Sequence, residues 1–149
     1  MAWFNPIGLA FVAVLMIPNL VYAAKCRDGF VNAPSLPKWL LVLEQIGRFG
    51  CLAAMIFSPP GTAIGLPSKA AFVVYLVGSS ALLLAYCAIW IFCFHINSLA
   101  RAIALSVLPS ILFLLDGVAM RSWLLTAFAL LFTPCHIAIS CVNAIQSKN

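Results

Sequence analysis

The stretch from Ala70 to Phe94, AAFVVYLVGSSALLLAYCAIWIFCF, contains no Asp, Glu, Lys or Arg. A helix that crosses the hydrocarbon core of a bilayer needs about 20 consecutive, mostly apolar residues, and this run is long enough. Four further apolar runs flank it: Trp3 to Ala24, Lys38 to Phe57, Leu99 to Leu115 and Trp123 to Val142. The expected architecture is therefore all-α, a polytopic membrane bundle of five transmembrane helices forming a single domain over residues 1–149. The run from Leu99 is the shortest, and Asp116 and Arg121 are read as solvated residues bracketing the turn after it.

Composition agrees. Of the 149 residues, 65% are hydrophobic and 7% charged, and mean hydropathy is +1.14. Soluble domains carry about 25% charged residues, so bilayer must be the solvent for most of this surface. The net charge of +5 comes without a dense basic run or a recognition motif, which excludes a nucleic-acid partner. No internal repeat is present, so an inverted-repeat transporter within one chain is not supported.

The connections are short. Lys25 to Pro37 is polar, and Ser58 to Ser68 carries Pro59-Pro60-Gly61 and Pro67, which is turn chemistry. Gly61 and Gly65 have GxxxG spacing, read here as a turn. The first run ends in Val21-Tyr22-Ala23 but lacks the basic n-region of a signal peptide and holds Pro6 and Pro18, so it reads as a retained helix. With the N-terminus outside, Lys25, Arg27, Lys38, Arg101 and Lys148 fall inside and only Lys69 and Arg121 outside. The positive-inside rule thus gives N-out, C-in. Trp3, Trp39, Trp90 and Trp123 lie towards helix ends and read as interfacial anchors.

Six cysteines are present, Cys26, Cys51, Cys87, Cys93, Cys135 and Cys141. They lie within or at the ends of apolar spans without a CxxC pair, so free thiols are expected rather than disulfides, a redox pair or a zinc ribbon. Cys135-His136 offers neither metal nor haem spacing. Adjacent helical residues point about 100° apart, which also suits a catalytic dyad poorly. HExxH, GxSxG and Asp-rich metal motifs are absent. No cofactor, metal or catalytic residue is expected.

The second run contains Glu44-Gln45-Ile46-Gly47-Arg48. Charges inside a membrane are costly and mark functional positions by default, and Glu44 and Arg48 have the i,i+4 spacing that lets them pair. Glu44, Gly47, Arg48, Cys51, Ala54 and Met55 share a stripe that should face the bundle interior, leaving Ile46, Phe49 and Ile56 for lipid. At about 1.5 Å per residue, Glu44 lies about 9 Å from its helix end and Arg48 about 15 Å. Asn19 and His136 lie about 9 Å, Ser106 about 8 Å and Tyr86 about 13 Å from theirs. The candidate binding residues are therefore Glu44, Arg48, Gln45, Asn19, His136, Tyr86 and Ser106, one polar layer in the inner leaflet. Pro18, Pro109 and Pro134 fall at a similar level, each freeing a backbone carbonyl. They read either as ordinary kinks or as the shaping of a cavity.

The stretches Met16-Ile17-Pro18-Asn19-Leu20-Val21-Tyr22-Ala23-Ala24-Lys25 and Glu44-Gln45-Ile46-Gly47-Arg48-Phe49-Gly50 resemble small hydrophobic membrane proteins of Gram-positive bacteria that carry no assigned function. The resemblance spans nearly the whole chain. It implies a multi-pass protein of the bacterial cell membrane, and neither an activity nor site residues. Helix number and size are also similar to the tryptophan-rich sensory protein/translocator family, whose tryptophan- and proline-rich helix motifs this chain lacks. Three function classes are carried forward: binding or transport of a small solute or ion through the polar layer; a non-catalytic membrane subunit; and, last, an intramembrane enzyme. The expected partners are membrane lipids and either a second copy of the chain or another membrane protein. Gly47, Gly50 and Gly78-Ser79-Ser80 supply small surfaces for helix contact, within one chain or between chains.

Overall fold

In the computed structural model, residues 3–25, 36–93 and 98–146 are described. They form five helices: α1 Pro6–Lys25, α2 Lys38–Ile56, α3 Lys69–Phe92, α4 Leu99–Ala119 and α5 Trp123–Gln146. The last four are long and apolar enough to cross a membrane, and α1 has the shorter apolar stretch Pro6–Tyr22. The chain is an integral membrane protein of helical type.

Each start has a local cause. Asn5 Oδ1 accepts the Gly8 amide at 3.1 Å, and Pro6, which has no amide to satisfy, takes the first helical position. That cap starts α1 at Pro6 rather than Trp3. Residues Trp3–Asn5 instead run beside the end of α2, where the Ser58 amide donates to Trp3 O and the Asn5 amide to Ile56 O, both at 2.8 Å. Ser68, Ser98 and Ser122 cap α3, α4 and α5, accepting the amides of Ala71, Arg101 and Leu125. The loop after α2 turns through Gly61 (φ 84°) and Gly65 (φ 85°), a conformation that favours glycine. The pair serves as turn residues, as its setting implied.

Two spans are longer than the apolar runs suggested. Helix α4 continues past Leu115 to Ala119, and α5 continues past Val142 to Gln146. Phe94 lies outside the described residues. Pro18, Pro109 and Pro134 all sit inside continuous helices. Helix α3 holds one irregularity, a wide π-turn over Val74–Gly78.

The helices close a ring in the order α1, α2, α5, α4, α3, with the most extensive packing between α4 and α5 and between α2 and α5. Glycines set the closest approaches. A Cβ on Gly47 would stand 2.9 Å from the backbone of Phe132, and one on Gly8 would stand 2.1 Å from the Met55 carbonyl oxygen. The small residues of α2 thus serve contacts within the chain. Phe11, Leu15, Cys51, Met55, Tyr75, Leu83, Leu112, Phe113, Leu125 and Phe132 fill the ring. Trp3, Trp39 and Trp123 are exposed, as interfacial anchors would be. Trp90 differs: it is 9% exposed because it shares the buried face of α3 with Ser79, Leu83 and Tyr86. Its ring packs on Tyr22 and Tyr86, and the Arg101 guanidinium lies 5.0 Å above it.

Candidate functional site

On α2 the buried residues are Glu44, Gly47, Cys51, Ala54 and Met55, five of the six residues of the stripe expected from the sequence; Arg48, the sixth, is half-exposed, and Ile46 and Phe49 face outward. Gly47 lets the backbone of Phe132 approach closely. One turn further along the antiparallel α5, that contact brings His136 against Glu44, which lies three residues before Gly47. His136 Nδ1 is 2.9 Å from Glu44 Oε1, and its ring stacks on Phe132 at 4.5 Å between centroids. Arg48 Nε donates to the same Oε1 at 3.0 Å, and its Nη2 donates there as well. Glu44 is 3% exposed, whereas the Arg48 and His136 side chains are 39% and 19% exposed. A buried carboxylate oxygen thus meets an Arg guanidinium from its own helix and a His imidazole from another, and both of these side chains reach towards the surface of the bundle.

Asn19 and Tyr86 form a second pair. The buried Tyr86 hydroxyl donates to Asn19 Oδ1 at 3.1 Å, and Asn19 Nδ2 donates back to the Leu15 carbonyl at 3.1 Å. This joins α1 to α3. Gln45 is exposed on the outer face of α2. Ser106 is buried, but its hydroxyl donates to the Ile103 carbonyl of its own helix at 2.9 Å. Of the seven candidate residues, three meet at Glu44 and two at Asn19; Gln45 and Ser106 join neither cluster.

The structure corrects the reading of Asp116. Rather than bracketing a solvated turn, it lies inside α4 and is 0% exposed. Its Oδ1 accepts from the buried Ser79 hydroxyl, and its Oδ2 has no hydrogen-bond partner. Tyr75, within electrostatic reach of Asp116, accepts from Asn5 Nδ2 at 3.1 Å, and Asn5 also approaches Met120 Sδ at 3.7 Å. The N-terminal half of the bundle therefore has its own polar centre, missed because an Asp at the end of an apolar run reads as a boundary. A usable signal existed. Ser106, Pro109, Phe113 and Asp116 repeat at intervals of three and four, one face of a helix.

Cys51, Cys87, Cys93, Cys135 and Cys141 are free thiols, and Cys26, like His95, lies outside the described residues. Among the described residues no group of three His, Cys, Asp or Glu side chains could hold a metal ion. No protein-family model matches the chain, and neither a curated protein nor a solved structure matches it.

Proposed function

We propose that the protein binds a small solute or ion at the Glu44–Arg48–His136 cluster and carries it across the cell membrane. The observation that supports this most is the sharing of one buried carboxylate oxygen by two basic side chains that are themselves partly exposed. A guanidinium has five N–H donors. Arg48 spends its Nε and Nη2 on Glu44, and its remaining donors suit a small carboxylate or phosphate. In this reading Glu44 is the resident anion that a small anionic solute displaces from Arg48 and His136. An N-out, C-in orientation, taken from the positive-inside count, would place the cluster in the inner leaflet. Lipids would cover the outward apolar faces of α2 and α3, and a second copy of the chain or a partner membrane protein would add to that cover.

A second reading makes the cluster a lock between α2 and α5 in a non-catalytic membrane subunit. The close Gly47–Phe132 contact favours it, since the same packing that builds the cluster also holds the two helices. Thermal unfolding of the purified protein in mild detergent separates the two. Small anions are added as potassium salts at fixed ionic strength, to wild type and to the double variant Glu44→Gln/Arg48→Gln. A specific ligand stabilises the folded state by mass action. The expected result is a rise in Tm with at least one anion for wild type and none for the folded double variant. An equal rise in both, or no rise for wild type with any anion in the series, overturns the binding reading.

A further inference from the structure

The Asp116 centre stands apart from the Glu44 cluster and does not depend on its function. Ser79, just past the π-turn of α3, meets Asp116 near the end of α4, and the start of α1 joins the same two segments through Asn5, which donates to Tyr75 of the π-turn and approaches Met120. Tyr75, Ser79 and Asp116 are 1%, 0% and 0% exposed. A carboxylate so deeply buried is tolerated only when its charge is neutralised. Among the described residues no Lys, Arg or His forms an ion pair with it, since the two such pairs both belong to Glu44. Helices α2 and α5 contribute no titratable partner, and from α3 only Tyr75 lies within electrostatic reach. The Ser79 hydroxyl donates to Oδ1 and keeps lone pairs to offer, while Oδ2 is unpartnered. π-turns break the regular hydrogen-bond ladder and are frequent at functional sites.

We propose that Asp116 Oδ2, beside Ser79 and the π-turn of α3, is the anionic ligand of a monovalent cation site that takes a proton or a sodium ion. One carboxylate with hydroxyl oxygens matches a single positive charge. A divalent ion would want several carboxylates or six or more oxygens. The site places a cation-binding group in the N-terminal half of the bundle, opposite the Glu44 cluster of the other half.

The test is thermal unfolding of wild type and Asp116→Asn in detergent, with sodium chloride against choline chloride at equal ionic strength, repeated across a pH series. Asparagine keeps the shape and removes the charge. If sodium is the ligand, wild type gains on the order of 5 °C at a hundredfold excess over the Kd, and Asp116→Asn gains nothing. If the proton is the ligand, sodium has no effect and the two proteins diverge in Tm along the pH series. Identical responses of wild type and Asp116→Asn to both sodium and pH overturn the proposal. Should Asp116→Asn fail to fold, Ser79→Ala replaces it. Loss of the neighbouring hydroxyl is expected to move the sodium or pH midpoint roughly tenfold, and an unmoved midpoint overturns the proposal in the same way.

Discussion

Glu44 and Asp116 are both carboxylates within helices of one small bundle, 3% and 0% exposed, yet their surroundings are opposite. Glu44 has a guanidinium one turn away on its own helix and an imidazole from α5 on the same oxygen. Asp116 has one serine hydroxyl and an unpartnered oxygen. The difference follows from local spacing. Arg48 stands four residues after Glu44, so a counter-charge comes with the helix itself. The nearest cation to Asp116 along the chain, Arg121, lies past the helix end in a left-handed turn (φ 50°) and is exposed. A buried charge that carries its partner on the same helix can be structural; one that does not needs a ligand.

The largest expected effect breaks the first half of that contrast. Arg48→Gln leaves Glu44 buried with His136 alone, and removing one partner of a buried pair typically costs about 3–5 kcal/mol. Glu44→Gln should cost less, about 2 kcal/mol, because the partly exposed Arg48 can turn to water or headgroups. The double variant should recover most of the Arg48→Gln loss. Unfolding in mild detergent reads all three, and a double variant no better than Arg48→Gln would mean that the pair is not the unit.

Gly47→Ala comes next. Its Cβ would press on the backbone of Phe132, and overpacking of this kind costs about 1–3 kcal/mol. Pushing α5 away also draws His136 from Glu44, so this variant should lose any anion response of the Glu44 cluster while Asp116 keeps its response to sodium or pH. Loss of both responses together would show that the two centres are not independent. Smaller still is Tyr86→Phe, which removes the bond to Asn19 and should cost about 0.5–1.5 kcal/mol, with α1 loosening from α3. Accelerated amide exchange confined to α1 would confirm that placement; uniform acceleration would contradict it.

The α2 stripe was legible from sequence because helical spacing alone puts Glu44, Gly47, Cys51, Ala54 and Met55 on one face. His136 was legible by depth, since α2 begins and α5 ends at the same side of the bundle. Asp116 was not legible through hydropathy, which penalises a charge wherever it lies and so closed the span at Leu115. Its partner Ser79 is 37 residues away on another helix and looked like one of three small packing residues. The Asn19–Tyr86 bond depends on the rotation of α1 against α3, which no local pattern records. Trp90 was read as an anchor from its position along α3, whereas its angle around the helix decides that it is buried.

The most direct measurement of the account is the pair of carboxylate-to-amide substitutions taken side by side, Glu44→Gln and Asp116→Asn, unfolded in the same sodium-free detergent buffer near neutral pH. The same chemical change should have unlike consequences. Glu44→Gln should lose about 2 kcal/mol, because it removes a charge that Arg48 compensates and His136 hydrogen-bonds. Asp116→Asn should stay within about 1 kcal/mol of wild type or gain stability, because it removes a buried carboxyl that no basic group compensates. Equal losses at the two positions would contradict the distinction between a compensated and an uncompensated carboxylate.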